Sequence, residues 1–68
     1  MDAVIETPER IYIFEFKIDQ SAEVAIKQIK EKEYFQKYLL EEKEVVLIGV
    51  NFDTKTGQID DWETVNWN

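Results

Sequence analysis

Arg10-Ile11-Tyr12-Ile13-Phe14-Glu15-Phe16-Lys17 is the stretch on which the fold turns. β-Branched and aromatic residues fill it, a composition that suits a pleated strand. Alternate positions fall on opposite faces, so Ile11 and Ile13 share one face and Tyr12, Phe14 and Phe16 the other. Both faces are apolar, which predicts a central strand covered on both sides. Upstream, Asp2 to Glu6 reads as a second strand, joined to the first through Thr7-Pro8-Glu9. An even loop centred on Pro8 and Glu9 sets the register. Thr7 then faces Arg10, Ile5 faces Tyr12, Val4 faces Ile13, and Asp2 faces Glu15.

Downstream, Asp19 or Ser21 can cap a helix, and Glu23 suits its first turn. Ala22, Ala25, Ile26 and Ile29 form one apolar stripe at helical spacing. Lys27, Lys30, Glu31 and Lys32 are expected to face water. The helix is expected to run to about Lys32, fraying or continuing through Tyr38. Glu41-Glu42-Lys43 reads as a polar loop. Glu44 to Phe52 reads as a third strand, buried on both faces. Asp53-Thr54-Lys55-Thr56-Gly57 is a turn, with Gly57 suited to a left-handed position. Gln58 to Val65 is charged enough to be an edge strand. The order is ββαββ: an α/β (α+β) chain with a mixed sheet and one main helix.

One helix covers one face of such a sheet. Apolar side chains on the other face predict a cover from outside: a second copy, or another part of a longer protein. A homodimer is expected, with Tyr12, Phe14 and Phe16 or Ile11 and Ile13 against the partner. Strand exchange is a further route to it.

With 68 residues the chain is one domain at most. A chain of this size buries roughly 60% of its unfolded surface, enough for one thin core. It has no cysteine and no histidine. Disulfides, thiolate zinc sites, Ser-His triads and imidazole acid–base chemistry are therefore excluded. Carboxylates, lysines, hydroxyls and amides remain. Fifteen acidic and eight basic residues give a net charge of −7, which opposes autonomous binding to a phosphodiester backbone. No apolar run approaches the ~20 residues needed to span a bilayer, and with no basic region or long apolar stretch at Met1-Asp2-Ala3-Val4 no signal peptide is expected. A cytoplasmic location is expected.

The hairpin register brings Asp2 and Glu15 side by side. Two facing carboxylates repel unless a cation sits between them. Lys17 lies on the same face, two residues past Glu15. This set suits a hard divalent ion, Mg²⁺ or Mn²⁺, held by Asp2 and Glu15 with Lys17 beside it. The alternative for the same residues is a frayed terminus at Asp2 and a solvated strand end at Glu15 and Lys17.

The run from Asp2 through Glu15-Phe16-Lys17 resembles the core hairpin of the PD-(D/E)XK nuclease superfamily. There an Asp on one strand precedes a Glu-x-Lys on the next. The likeness continues through Ser21-Ala22, Gln28-Ile29, Ile48-Gly49-Val50-Asn51-Phe52 and Ile59-Asp60-Asp61-Trp62. This string is similar to the nuclease-like C-terminal domain carried by bacterial AAA-ATPase-like proteins, over Asp2 to about Trp62. The resemblance implies that Asp2 and Glu15 ligate metal, that Lys17 is catalytic and that Gln28 assists. It implies metal-dependent phosphodiester hydrolysis of nucleic acid in a complete parent domain with a restriction-endonuclease-like core. The superfamily core also has a helix and a strand ahead of the Asp. Residues 1–68 therefore read as one partial domain, with nucleic-acid binding expected only together with the missing regions. The alternative is a non-catalytic dimerisation or interaction module of an ATPase-linked protein.

Trp62 and Trp67, with Tyr34, Phe35 and Tyr38, read as core or interface packing rather than base stacking, since few basic residues are near. Asp60-Asp61-Glu63 lacks the spacing of a calcium loop and reads as a solvated edge. Glu41-Glu42-Glu44 implies no site.

Overall fold

The computed structural model describes residues 2–32 and 43–67, with Asp2 defined by its backbone pairing. Five elements follow in chain order: β1 (Asp2–Glu6), β2 (Arg10–Ile18), α1 (Ala22–Glu31), β3 (Glu44–Asp53) and β4 (Gln58–Asn66). Thr7 closes the first turn: its backbone N–H donates to the Arg10 carbonyl at 2.8 Å, and its Oγ1 accepts from the Arg10 N–H at 2.9 Å. That turn sets an antiparallel register with Asp2 opposite Glu15, Val4 opposite Ile13 and Ile5 opposite Tyr12. Tight turns join antiparallel strands, whereas the parallel β2–β3 pair requires a crossover, which contains α1. The sheet order is β1-β2-β3-β4, the expected mixed sheet with β4 at an edge.

Ser21 is the helix cap, its Oγ accepting from the Val24 N–H at 3.2 Å. Asp19 takes another role. Its backbone is left-handed (φ 53°), and its carboxylate accepts from the Thr54 N–H at 3.0 Å and the Thr54 hydroxyl at 2.6 Å. Gly57 occupies the left-handed position (φ 72°) that closes the β3–β4 turn onto the Asp53 carbonyl. The helix ends at Glu31, and Lys32 is already extended. Any continuation to Tyr38 lies outside the described residues, as do Tyr34, Phe35, Glu41 and Glu42.

Ala22, Ala25, Ile26 and Ile29 are the buried face of α1. Ile26 and Ile29 pack on Ile11 and Ile13 of β2 and on Val45 and Leu47 of β3, with Val65 of β4 alongside, while Ala22 and Ala25 lie over Gly49. Each large side chain buried this way contributes about 1.5–3 kcal/mol. The opposite sheet face has no helix among the described residues. Ile5, Ile18, Phe52, Ile59 and Trp62 are exposed there, Trp62 to 70%. Trp62 is therefore not a core residue of this chain, which leaves interface packing as the form of the expectation that stands. No described helix is long and apolar enough to cross a membrane.

Candidate functional site

Glu15 sits mid-strand on the face beneath α1, in a row of register partners that reads Asp2, Glu15, Gly49, Glu63. Gly49 lets the helix come down onto the sheet. A Cβ there would stand 2.6 Å from the Ala22 carbonyl oxygen and 3.0 Å from Ala25 and Ile26 atoms. With the helix this low, Glu15 is only 1% exposed. A carboxylate cannot be buried as an ion without compensation. Two ammonium groups provide it. Lys32 Nζ lies 3.1 and 3.3 Å from the two carboxylate oxygens, and Lys17 Nζ lies 4.0 Å from Oε1. The shorter contacts are charge-assisted hydrogen bonds, while that of Lys17 is electrostatic.

Lys32 was expected to face water, and this is corrected. It caps the helix end in an extended conformation, its backbone N–H donating to the carbonyl of buried Ile29, which sets it at the sheet side. Its long stem turns back towards the buried charge. Its place at the end of the helix was visible in the sequence. The reason for the turn, a carboxylate under the helix, was not.

Gln28 lies one turn before Lys32 on the same flank of α1 and is half-buried. Its amide makes no hydrogen bond to another described residue. Asp2 lies across the ladder from Glu15 through its backbone register. The register thus sets Asp2 opposite Glu15, and Lys17 from the strand and Lys32 from the end of α1 both reach the Glu15 carboxylate.

A second polar cluster fixes the end of the sheet nearest the start of α1. Asn51, 1% exposed, accepts from the Gln20 N–H at 2.8 Å and donates to Asp60 at 2.9 Å. Asp61 accepts from the Ala22 N–H at 2.9 Å, which places a negative charge at the positive end of the helix dipole. Asp60 and Asp61 are therefore not merely a solvated edge. They hold the β2–α1 loop, and with it the end of β2 that carries Lys17.

Among the described residues no three carboxylates gather into a metal cage. A hard divalent ion does not require one, since it commonly keeps several waters and takes one or two protein carboxylates with phosphate oxygens. The Glu15 carboxylate is an oxygen donor of the kind such an ion takes, and the Lys32 ammonium, a cation, already occupies both its oxygens, so an ion there would compete with it. The donor chemistry fits such an ion. The groove between α1 and β4, lined by Glu23, Ile26, Lys27, Lys30, Glu63 and Val65, lies on the other flank of the helix.

A family model for the PD-(D/E)XK nuclease superfamily matches residues 1–62. No curated protein and no solved structure matches the chain.

Proposed function

The chain belongs to the PD-(D/E)XK nuclease superfamily, and on that premise we propose that it contributes the catalytic hairpin of a metal-dependent nuclease acting on nucleic-acid phosphodiesters. Nucleases of this superfamily generally use divalent metals. In this proposal Asp2 and Glu15 hold Mg²⁺ or Mn²⁺, which supplies charge neutralisation at phosphorus and activation of water when bound. Lys17 orients the attacking water or offsets charge on the phosphate. Gln28 orients the same group from the helix.

One observation carries the proposal: Asp2 pairs with Glu15 in the β1–β2 ladder, and Lys17 projects next to that pair with its Nζ 4.0 Å from Glu15. The net charge of −7 works against a polyanionic substrate, so the substrate groove belongs to further parts of a complete domain. Linkage to an AAA-ATPase-like protein is part of the same proposal and rests on the motif string from Ser21 to Trp62. Calorimetric titration with Mn²⁺ tests the site. Binding should be lost in Asp2→Ala and Glu15→Gln, and no binding at millimolar metal would sink the proposal.

A second reading, a non-catalytic dimerisation module, is favoured by a different observation. The open face carries Ile5, Phe14, Phe16, Phe52, Ile59 and Trp62, and its described charges are the paired Arg10 and Glu44 at one end. A largely apolar face of this kind suits an isologous contact with a second copy.

A further inference from the structure

Glu15 brings a charge beneath α1 that something must balance before any metal arrives. Lys32 does so with one ammonium against both carboxylate oxygens, at 3.1 and 3.3 Å. A divalent ion held by Glu15 would meet the Lys32 ammonium at the same carboxylate, and two cations brought there repel each other. Lys32 is also placed to leave. It follows the last helical residue, its backbone is extended, and its side chain is 32% exposed. Lys17, fixed on the sheet and 15% exposed, is not so placed.

We infer that Lys32 is the resident counter-ion of the metal-free site, displaced when a divalent ion binds Glu15. The displaced amine then joins Lys17 as a second cation facing the phosphate. This inference rests on the proposal that Asp2 and Glu15 bind the ion. It gives Lys32 a role in the site that neither the hairpin motif nor Gln28 covers. It also places local positive charge where a chain of net charge −7 meets an anionic substrate.

Linkage is reciprocal: if the metal displaces Lys32, then Lys32 opposes the metal. Two measurements read the two sides. Amine labelling of the unmodified chain, quantified by mass spectrometry, should show Lys32 labelling rise several-fold with saturating Mn²⁺, while Lys27 and Lys30 stay constant. Calorimetry should show Lys32→Gln binding Mn²⁺ roughly tenfold more tightly than the unmodified chain, the equivalent of ~1.4 kcal/mol. If Mn²⁺ binds through Glu15 while Lys32 labelling stays unchanged, the inference is overturned and the metal site survives it. Equal or weaker binding by Lys32→Gln overturns it in the same way. If Lys32→Gln does not fold, labelling of the unmodified chain decides. If Glu15→Gln leaves the heat of Mn²⁺ addition unaltered, the metal site and the inference fall together.

Discussion

Gly49 lies so close beneath Ala22 that a methyl group on it would stand 2.6 Å from the Ala22 carbonyl oxygen. That oxygen is backbone at the start of α1 and cannot rotate away. Gly49→Ala should therefore lift the helix and cost about 1–3 kcal/mol. For a chain of this length total stability is roughly 3–10 kcal/mol, so the loss is a large fraction. Urea denaturation should show a lower midpoint. An unchanged midpoint would mean that the helix sits higher than the geometry shows.

Asn51 is the second packing-critical position, for a polar reason. Its carboxamide links the Gln20 N–H to Asp60 across the sheet. Asn51→Leu should cost about 1–3 kcal/mol by leaving the Gln20 N–H without its acceptor. Asn51→Asp should also destabilise, since it sets a carboxylate against Asp60, and raising salt should recover part of that loss. Thermal melts at low and high salt separate the two variants. An equal salt response in both would argue against the Asn51–Asp60 contact.

These two positions show what the sequence could and could not reveal. The β1–β2 register was legible because Pro8 and Glu9 fix an even loop, and each side chain then follows by alternation. The helix stripe was legible because Ala22, Ala25, Ile26 and Ile29 repeat at its period. Asn51 was hidden inside the apolar run of β3, and its partners are remote in sequence. Lys32 read as a solvent-facing lysine, and Asp60 and Asp61 as edge charges. In each case a tertiary partner decided the outcome: Glu15 for Lys32, Asn51 for Asp60, and the first amide of α1 for Asp61. The Mg²⁺ or Mn²⁺ ion, the nucleic-acid substrate and the second copy stay at the level of expectation, because each is a separate species and not one of these side chains.

Asp19 ties the β2–α1 loop to the β3–β4 turn, and the tie depends on pH. Hydrogen bonds from the Thr54 hydroxyl and backbone hold the Asp19 carboxyl below its ordinary value of 3.8. A lowered folded value means that the stabilisation is complete above the unfolded pKa and is lost as pH falls through the folded one. Stability should thus fall on acidification below about pH 4. Asp19→Asn should remove this component of the pH dependence. NMR titration of the carboxyl checks the direction, and a value at or above 3.8 would contradict the tie.

The open sheet face predicts self-association. Four strands ~4.8 Å apart and about eight residues long at ~3.3 Å each present roughly 500 Å². Two copies bury about 1,000 Å², the lower bound for a specific contact, so the dimer should be weak. Light scattering should show dimers at high micromolar concentration. Trp62→Ser should give monomers with stability changed by no more than about 0.5 kcal/mol, because Trp62 is 70% exposed. A chain that stays monomeric at such concentrations removes the dimerisation reading.

Lys17 and Lys32 both approach Glu15, yet removing them should have opposite consequences. Lys32 holds both carboxylate oxygens, whereas Lys17 reaches one of them at 4.0 Å. Breaking a buried pair by removing one partner costs about 3–5 kcal/mol, and Lys32→Met should lie towards that range without metal. Lys17→Met leaves the closer pair intact and should cost less than about 1 kcal/mol. In the nuclease proposed above, Lys17→Met should still bind Mn²⁺ but lose about 10²–10⁴-fold in cleavage, the usual contribution of a positioned proton-transfer group. Denaturation of the two variants gives the stability order, and single-turnover cleavage gives the catalytic one. If Lys17→Met proves the more destabilised and cleaves normally, Lys17 is a structural counter-ion, and the chemistry assigned to the hairpin is wrong.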